Sequence, residues 1–169
     1  MVDVAARWAR RVATVGGLGD LLPAPGTTVG SLAAALGWLA LMLLPLSAPP
    51  RHALAILALV ILVVVAIWSA EVEASRRGAS DPGPVVIDEV AGQWVTYLVS
   101  LPLPIWDTTA GQLRAVAAGF LLFRLLDISK PWPVKPLEKL PGGLGIVADD
   151  LAAGAIAGVL LAVCSRLLL

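Results

Sequence analysis

The sequence has few of the residues on which many soluble enzymes depend. Its 169 residues include one cysteine and one histidine, Cys164 and His52, and only 14% are charged, where a soluble domain has about 25%. A single cysteine excludes disulfide frameworks and cysteine-rich metal sites, and a single histidine excludes a multi-histidine zinc or catalytic centre. Twelve basic residues balance twelve acidic ones, so the composition gives no indication of a nucleic-acid partner.

The chain is instead rich in apolar residues, which make up 59% of it and give a mean hydropathy of +0.89. A soluble protein of 17.4 kDa has too little interior to bury so much apolar surface. Five segments are apolar enough to be membrane helices: 29–46, 53–70, 90–106, 111–128 and 151–169. We therefore expect an all-α, polytopic membrane bundle of four to five spans, forming one membrane-embedded domain over residues 1–169.

The basic residues predict how the chain lies in the membrane. Nine of the twelve lie in segments 1–28, 71–89 and 124–150, which alternate with the predicted spans and so share one side. The positive-inside rule assigns that side to the cytoplasm. Most of the acidic residues lie there as well, so we expect any chemistry at the cytoplasmic face of the membrane.

A glycine-rich segment, GGLGDLLPAPGTTVGS at 16–31, precedes the first predicted membrane helix. Glycines let a backbone approach a ligand closely, and Ser31 could cap the helix, whose free amides suit an anion. The segment is neither a Walker loop nor a Rossmann fingerprint. A turn-rich connection with a serine cap is the structural alternative.

The adjacent acids Asp88 and Glu89 come at the start of the third predicted membrane helix. Glu89, Gln93, Thr96 and Ser100 recur at helical spacing and so share one face. Polar groups are costly in lipid, which predicts that this face looks into the bundle or into a wet cavity. Simple interaction of the two acids with the helix dipole is the alternative.

A third segment, FRLLDISKPWPVKP at 123–136, follows the fourth predicted helix. Arg124 and Asp127 are three residues apart and can form an ion pair on one helix face. The three prolines should keep the end of the segment extended. Lys130 and Lys135 would then lie near the lipid headgroups, with Trp132 as an interface anchor. Basic side chains that merely snorkel to the interface would give the same pattern.

A second acid pair, Asp149 and Asp150, lies in GGLGIVADDLAAG and is expected to open the last membrane helix. Gly154 and Gly158 form a small-xxx-small pattern that allows close helix packing, and Gly92 gives the third helix a similar notch. The two acid pairs could therefore face one another. Oxygen ligands without histidine or cysteine favour Mg²⁺ over zinc. Ordinary acids at a helix N-terminus are the alternative.

Together these segments predict carboxylates for Mg²⁺, with basic groups and glycine amides for an anion, at the depth of the lipid headgroups. That combination indicates a phosphate-handling site acting on a lipid. A CDP-alcohol phosphotransferase would need a longer D-G-x-x-A-R array, which the sequence lacks. A non-enzymatic membrane protein such as a transporter subunit would need polar groups through the bilayer, whereas here they gather on one side.

The four segments, in this order, resemble the phosphatidylglycerophosphatase A family of bacterial inner-membrane enzymes. The resemblance rests on APGTTVGSLAA, VVIDEVAG, FRLLDISKPWPV and GGLGIVADDLAAG and spans about residues 16–160. It implies a compact all-helical fold and Mg²⁺-dependent hydrolysis of phosphatidylglycerol phosphate to phosphatidylglycerol and phosphate, a step of phospholipid biosynthesis.

Residue by residue, the resemblance and the motifs give one set of expected roles. The metal ligands are Asp88, Glu89, Asp149 and Asp150, and the catalytic residues are Asp127, Asp88 and Asp149. The substrate-binding residues are Lys130, Arg124, Gly26, Thr27, Thr28, Gly30 and Ser31. The loop departs from the family pattern P-G-T-x-G-S by one additional residue, so that either Thr27 or Thr28 matches the family threonine. Asp81 is a marginal member of the set.

Overall fold

The structure, a computed structural model, describes residues 4–168, with side chains as far as Ser165. These residues form α-helices joined by turns and short helical loops, and they contain no strand. The helices are α1 (Val4–Ala13), α2 (Ser31–Met42), α3 (Ala48–Arg77), α4 (Ile87–Ser100), α5 (Thr109–Ser129) and α6 (Gly142–Leu168). The predicted all-α class is confirmed.

Three helices are long and apolar enough to cross a membrane: Ala48–Arg77, Thr109–Ser129 and Gly142–Ser165. The segment Gly26–Met42 is a shorter apolar helix, and α4 has only 14 residues. Each of the five segments predicted to be helical therefore contains a helix, but only three meet the length and composition of a full span. A membrane-embedded helical bundle fits this arrangement.

The surface of the long helix α3 is suited to contact with lipid. It begins after Ser47, with prolines in its first turn, and ends at Gly78, whose left-handed φ of 65° stops the helix. Its buried positions are mainly small residues, while large aliphatic side chains are exposed along its length. These exposed side chains are Ile56, Leu57, Val60, Ile61 and Val64. Such a continuous apolar surface is favourable only against hydrocarbon.

The short helix α4 is the centre of the bundle and packs against α6, α3, α2 and α5. Gln93, Thr96 and Ser100 are completely buried, so the predicted inward polar face of this helix is confirmed. A side chain at Gly154 would overlap the carbonyl of Gly92, and one at Gly92 would come within 2.6 Å of the Asp150 carbonyl oxygen. The predicted close contact of glycines between these two helices is therefore also confirmed.

An aromatic cluster fills the core around the C-terminal end of α4. The ring of Trp38 lies 5.4 Å from those of Trp94 and Tyr97 and 5.7 Å from that of Trp106. Gln93 donates a hydrogen bond to the Tyr97 hydroxyl, which in turn donates to the Val116 carbonyl oxygen at 3.3 Å. The acidic residues lie at the other end of α4, so the aromatic cluster and the acidic residues occupy opposite ends of one helix.

Three local predictions, on the start of α6, on Ser31 and on the proline-rich segment, are wrong, and helix α3 is longer than predicted. α6 begins at Gly142, so that Asp149 and Asp150 lie two turns inside the helix instead of opening it. The reason is tertiary: the amide of Gly143 donates to the carboxylate of Glu71, and a side chain at Gly143 would overlap the Ile67 carbonyl. This contact with α3 starts the helix early.

The other two corrections concern Ser31 and the proline-rich segment. Ser31 does not cap α2, because a wide helical turn at Gly26–Gly30 already precedes it and its hydroxyl donates to the Gly26 carbonyl oxygen at 3.1 Å. The chain after Lys130 is not extended throughout, since Lys135–Lys139 forms a 3₁₀ turn. Helix α3 also continues to Arg77, seven residues into the segment predicted as a loop.

Candidate functional site

Five carboxylates from three helices converge at the N-terminal end of α4, and we refer to them as the acidic site: Asp88, Glu89, Asp127, Asp149 and Asp150. Asp150 on α6 has the carboxylates of Asp88 and Glu89 on α4 and of Asp127 on α5 as its charged neighbours. Asp88 and Asp150 are 6% and 3% exposed. The packing of Gly92 against Gly154 brings α4 and α6 close enough for this convergence.

Arg124 connects α5 to the acidic site. Its guanidinium nitrogen Nη1 lies 2.6 Å from Asp127 Oδ2 and 3.4 Å from Glu89 Oε1. The pairing of Arg124 with Asp127, which the three-residue spacing predicts, is therefore confirmed. All three side chains are largely buried, which strengthens their mutual attraction.

Lys130 is the second basic group, and it ends α5 in a left-handed conformation with φ 42°. Its ammonium donates to Asp149 Oδ2 and to Glu138 Oε1, each at 2.5 Å. Burial alone would lower the pKa of Lys130, but its hydrogen bonds to Asp149 and Glu138 raise that pKa above its usual value. Lys130 therefore remains charged beside Asp149.

The glycine-rich turn Gly26–Gly30 lies directly against Glu89. A side chain at Gly26 would overlap the Glu89 carboxylate, and one at Gly30 would come within 3.2 Å of the Val86 carbonyl oxygen. A side chain at Gly26 would displace the Glu89 carboxylate, so the turn belongs to the same region as the acids. Ser31 is buried beneath the turn, and its hydroxyl donates a hydrogen bond to the Gly26 carbonyl oxygen.

The two threonines of the turn differ in what their hydroxyls do. Thr28 Oγ1 donates to the carbonyl oxygens of Pro23 and Ala24, at 3.2 Å in each case. Thr27 is exposed, and its hydroxyl makes no hydrogen bond to any residue that the structure describes. Of the two residues left open by the sequence, Thr27 therefore has the available hydroxyl.

The hydrogen bonding of the carboxylates tests whether the acidic site suits a cation. One buried oxygen on each of four side chains has no hydrogen-bond donor: Asp88 Oδ1, Glu89 Oε2, Asp149 Oδ1 and Asp150 Oδ2. These are the four residues predicted as metal ligands, and unpartnered carboxylate oxygens are the donor atoms that Mg²⁺ takes. Among residues 4–165, however, no three acidic, histidine or cysteine side chains are arranged as they stand to hold a metal ion. The donor chemistry fits, while closure around an ion would need side-chain rotation.

A cavity of about 610 Å³ reaches Asp149 from the loop side of the bundle. Its polar lining includes Glu71, Ser75, Ser80, Asp81, Glu138 and Asp149. Neither Glu71 nor Glu138 is indicated by the motifs, because their links to the site are contacts between distant segments: Glu71 with Gly143, and Glu138 with Lys130. Asp81, the marginal residue of the sequence prediction, lines this cavity as well.

Comparison with known proteins agrees with the motifs. The family model for phosphatidylglycerophosphatase A matches residues 11–165. The chain is 36% identical over 146 residues to the phosphatidylglycerophosphatase A of Escherichia coli, covering 85% of this chain and 75% of that protein. It is 32% identical over 139 residues to the protein of that name from Haemophilus influenzae, covering 81% and 76% respectively.

A third relative has a different name. The chain is 39% identical over 141 residues to a protein of Bacteroides thetaiotaomicron provisionally named as a phosphatidylinositol-3-phosphatase, covering 83% of this chain and 82% of that protein. No solved structure matches significantly. The match over residues 11–165 includes the whole acidic site and the glycine turn. The chain therefore belongs to the phosphatidylglycerophosphatase A family of phosphatase enzymes.

Proposed function

We propose that the protein is a Mg²⁺-dependent lipid phosphatase that hydrolyses phosphatidylglycerol phosphate to phosphatidylglycerol and phosphate in phospholipid biosynthesis. We also propose that it works in the bacterial inner membrane, as its relatives' family suggests, and at the cytoplasmic face, to which the positive-inside rule assigns the basic loops. One observation carries the chemical part of the proposal. Four buried carboxylate oxygens without donors lie in one region with a paired arginine and a paired lysine.

The proposed ligands of Mg²⁺ are Asp88, Glu89, Asp149 and Asp150. Within the described part of the chain, the basic groups that form ion pairs with these five carboxylates are Arg124 and Lys130. A bound cation would therefore relieve the mutual repulsion of the carboxylates. When bound, Mg²⁺ would polarise a phosphoryl oxygen and favour the ionised form of a water nucleophile.

The proposed phosphate-binding groups are Arg124, Lys130 and the glycine turn. Both basic side chains are held by carboxylates, Arg124 by Asp127 and Lys130 by Asp149, so they are fixed in position before substrate arrives. Fixed positive groups beside the phosphoryl oxygens stabilise the charge of the transition state. The open hydroxyl of Thr27 and the amides of the turn are further candidate donors.

Asp127 is the proposed general base. Its carboxylate is held 2.6 Å from Arg124 and is a charged neighbour of Asp150, so it lies between the phosphate-binding groups and the proposed metal ligands. A carboxylate in that position can accept the proton of an attacking water.

A second candidate substrate is phosphatidylinositol 3-phosphate, because a relative at 39% identity carries a name for that activity. The two lipids share their chemistry: each carries a phosphate monoester on a polyol that is joined to diacylglycerol through a phosphodiester. The same site could take either.

The direct experiment measures phosphate release by the detergent-purified protein, with Mg²⁺ and then with EDTA. The substrates are phosphatidylglycerol phosphate, phosphatidylinositol 3-phosphate and phosphatidic acid. We expect release from phosphatidylglycerol phosphate that stops on chelation and returns when Mg²⁺ is restored. Release that persists in EDTA would refute the proposed dependence on Mg²⁺. Faster release from phosphatidylinositol 3-phosphate would make that lipid the preferred substrate. No release from any lipid by folded protein would favour a phosphotransferase or a non-enzymatic role.

A further inference from the structure

We propose that the protein has a second anion site, formed by Trp132, Lys135 and Lys139, that binds the phosphodiester of the lipid substrate while the acidic site acts on its terminal phosphate. The inference rests on the proposed function and deepens it, because it names the groups that select the substrate class. These side chains, with Lys130 and Pro136, line a cavity of about 270 Å³ beside the acidic site.

The lysines of this cavity have different partners. Lys130 is held by Glu138 and Asp149. Lys135 and Lys139 are exposed, and neither forms an ion pair with any residue that the structure describes. Two unneutralised ammonium groups on one small cavity form a local positive field that suits a singly charged phosphodiester.

The loop that carries these lysines is anchored. Val134 is fully buried and packs with Phe123, Ala153 and Ala157. Its amide donates to the Pro131 carbonyl oxygen at 2.7 Å, and its own carbonyl accepts from the Leu137 amide at 3.0 Å. The positions of the lysine backbones are therefore largely set before a ligand binds, which lowers the entropy cost of binding.

The surroundings of the cavity place it at the depth of lipid headgroups. Trp132 is 85% exposed, and an indole with an apolar ring and a polar N–H is favoured at the boundary of a bilayer. Leu121, Leu125 and Ile128 are exposed on one face of α5 at spacings of four and three residues, leading toward Trp132. Acyl chains lying along this face would bring their phosphodiester to the two lysines.

Lys130 connects the two anion sites, because it lines the cavity and also donates to Asp149 in the acidic site. A headgroup with a phosphodiester at one end of a polyol and a phosphate monoester at the other can occupy both sites at once. Phosphatidic acid has a monoester alone and can occupy only one. The second site therefore favours phosphorylated polyol lipids over phosphatidic acid.

The test is steady-state kinetics of the Lys135→Gln/Lys139→Gln double variant on phosphatidylglycerol phosphate in mixed detergent micelles. Loss of two charged hydrogen-bond donors to one anion should raise KM on the order of tenfold, with kcat unchanged. Inorganic phosphate as a product inhibitor probes the acidic site alone, so its inhibition constant should stay the same. Arg7→Gln is the matched control, since it removes an exposed basic group of α1 that does not line this cavity.

Three outcomes would overturn the second site in an active enzyme. They are an unchanged KM, a rise in KM that Arg7→Gln reproduces, and a parallel rise in the inhibition constant for inorganic phosphate. The wild-type protein separates this inference from the proposed function. If it releases no phosphate from phosphatidylglycerol phosphate, the proposed function fails and the second site falls with it.

Discussion

The described part of the chain contains two charged clusters built around buried carboxylates, and the two differ in how completely those carboxylates are paired. In the first, which we call the α1–α3 cluster, Glu73 accepts hydrogen bonds from Arg76 at 2.7 Å and from Arg77 at 2.6 Å. Arg77 also reaches Asp20 at 2.6 Å, and Asp20 accepts from Arg10 at 2.9 Å. In the acidic site, four carboxylates each keep a buried oxygen without a donor.

From this difference we propose that incomplete hydrogen bonding of a buried carboxylate, and not burial itself, separates functional acids from structural ones. Glu73 is completely buried, more so than Asp88 or Asp150, so burial alone does not identify a site. A buried carboxylate with both oxygens paired stabilises the fold, whereas an unpaired one costs free energy that a folded protein retains for a reason. The α1–α3 cluster fastens two helices, whereas the unpaired oxygens of the acidic site are the ligand atoms that we propose for a cation.

The largest expected effect comes from neutralising an acid of the acidic site. Asp149→Asn and Asp88→Asn should each lower phosphate release on the order of a thousandfold, because each removes a proposed metal ligand worth several kcal/mol in the transition state. Asp88→Asn should leave the thermal unfolding midpoint equal or higher, since it removes charge from a region of like charge. Asp149→Asn also breaks the ion pair with Lys130, so its midpoint should fall modestly. Phosphate-release assays and thermal unfolding in detergent would measure the two effects.

The matched control for these variants is Asp107→Asn, which changes an exposed aspartate in the loop before α5. It should affect neither activity nor stability. Near-normal Mg²⁺-dependent activity of either Asp149→Asn or Asp88→Asn would refute the metal assignment. A large loss of stability would show instead that the unpaired oxygens are structural.

The opposite result is expected for the α1–α3 cluster. Glu73→Gln leaves two arginines against a neutral group, and because the side chains of Arg76 and Arg77 are 45% and 22% exposed, losing these ion pairs should cost on the order of 1 kcal/mol. The thermal unfolding midpoint should therefore fall, while kcat of the protein that remains folded should stay near the wild-type value. A fall in kcat without a fall in stability would mean that the α1–α3 cluster, like the acidic site, acts in catalysis.

Much of the acidic site could be predicted because its pattern is local. The spacing of Arg124 and Asp127 predicts their pairing, and the glycine notches at Gly92 and Gly154 predict the contact between α4 and α6; both are confirmed. The polar face of α4 follows from helical periodicity. The ion pair and the polar face depend on side chains within a few residues of one another, where helix geometry fixes what they can reach. The glycine contact joins distant helices, but each notch is recognisable within its own helix.

The α1–α3 cluster could not be predicted in the same way. Asp20 and Arg77 are 57 residues apart, and no sequence period relates them. The apolar run of α3 stops before Glu73, so hydropathy assigns the charged residues to a loop, although the helix continues to Arg77. The early start of α6 has the same origin, because the contact of Glu71 with Gly143 joins distant segments. Tertiary contacts extend both helices beyond their apolar signal.

The adjacent residues Thr27 and Thr28 show the same contrast on a smaller scale, because among the described residues the Thr28 hydroxyl is hydrogen-bonded and the Thr27 hydroxyl is not. Thr27→Val should lower kcat/KM about tenfold, because it removes one open hydroxyl beside the proposed phosphate site. Thr28→Val should mainly lower stability, by about 1 kcal/mol, because the Thr28 hydroxyl donates hydrogen bonds to the carbonyl oxygens of Pro23 and Ala24. Kinetics and thermal unfolding of both variants would distinguish them. A larger kinetic loss for Thr28→Val would assign the family threonine to position 28 instead.

The smallest expected effect is the response of the α1–α3 cluster to acid. Burial alone would raise the pKa of Asp20, but hydrogen bonds from Arg77 and Arg10 lower it below the ordinary value of 3.8. The unfolded chain then binds this proton at a higher pH than the folded chain. The stabilisation is complete above pH 3.8 and is lost as pH falls through the folded value.

Comparison of the wild type with Asp20→Asn would detect this contribution. The difference between their unfolding midpoints should shrink as pH falls from about 5 to about 3, while other carboxylates titrate equally in both proteins. The effect should not exceed about 1 kcal/mol, because solvent screens the partly exposed pair of Arg10 and Asp20. A difference that stays constant with pH would mean that Asp20 acts through packing and not through its charge. The α1–α3 cluster would then depend on Glu73 alone for its electrostatic stabilisation.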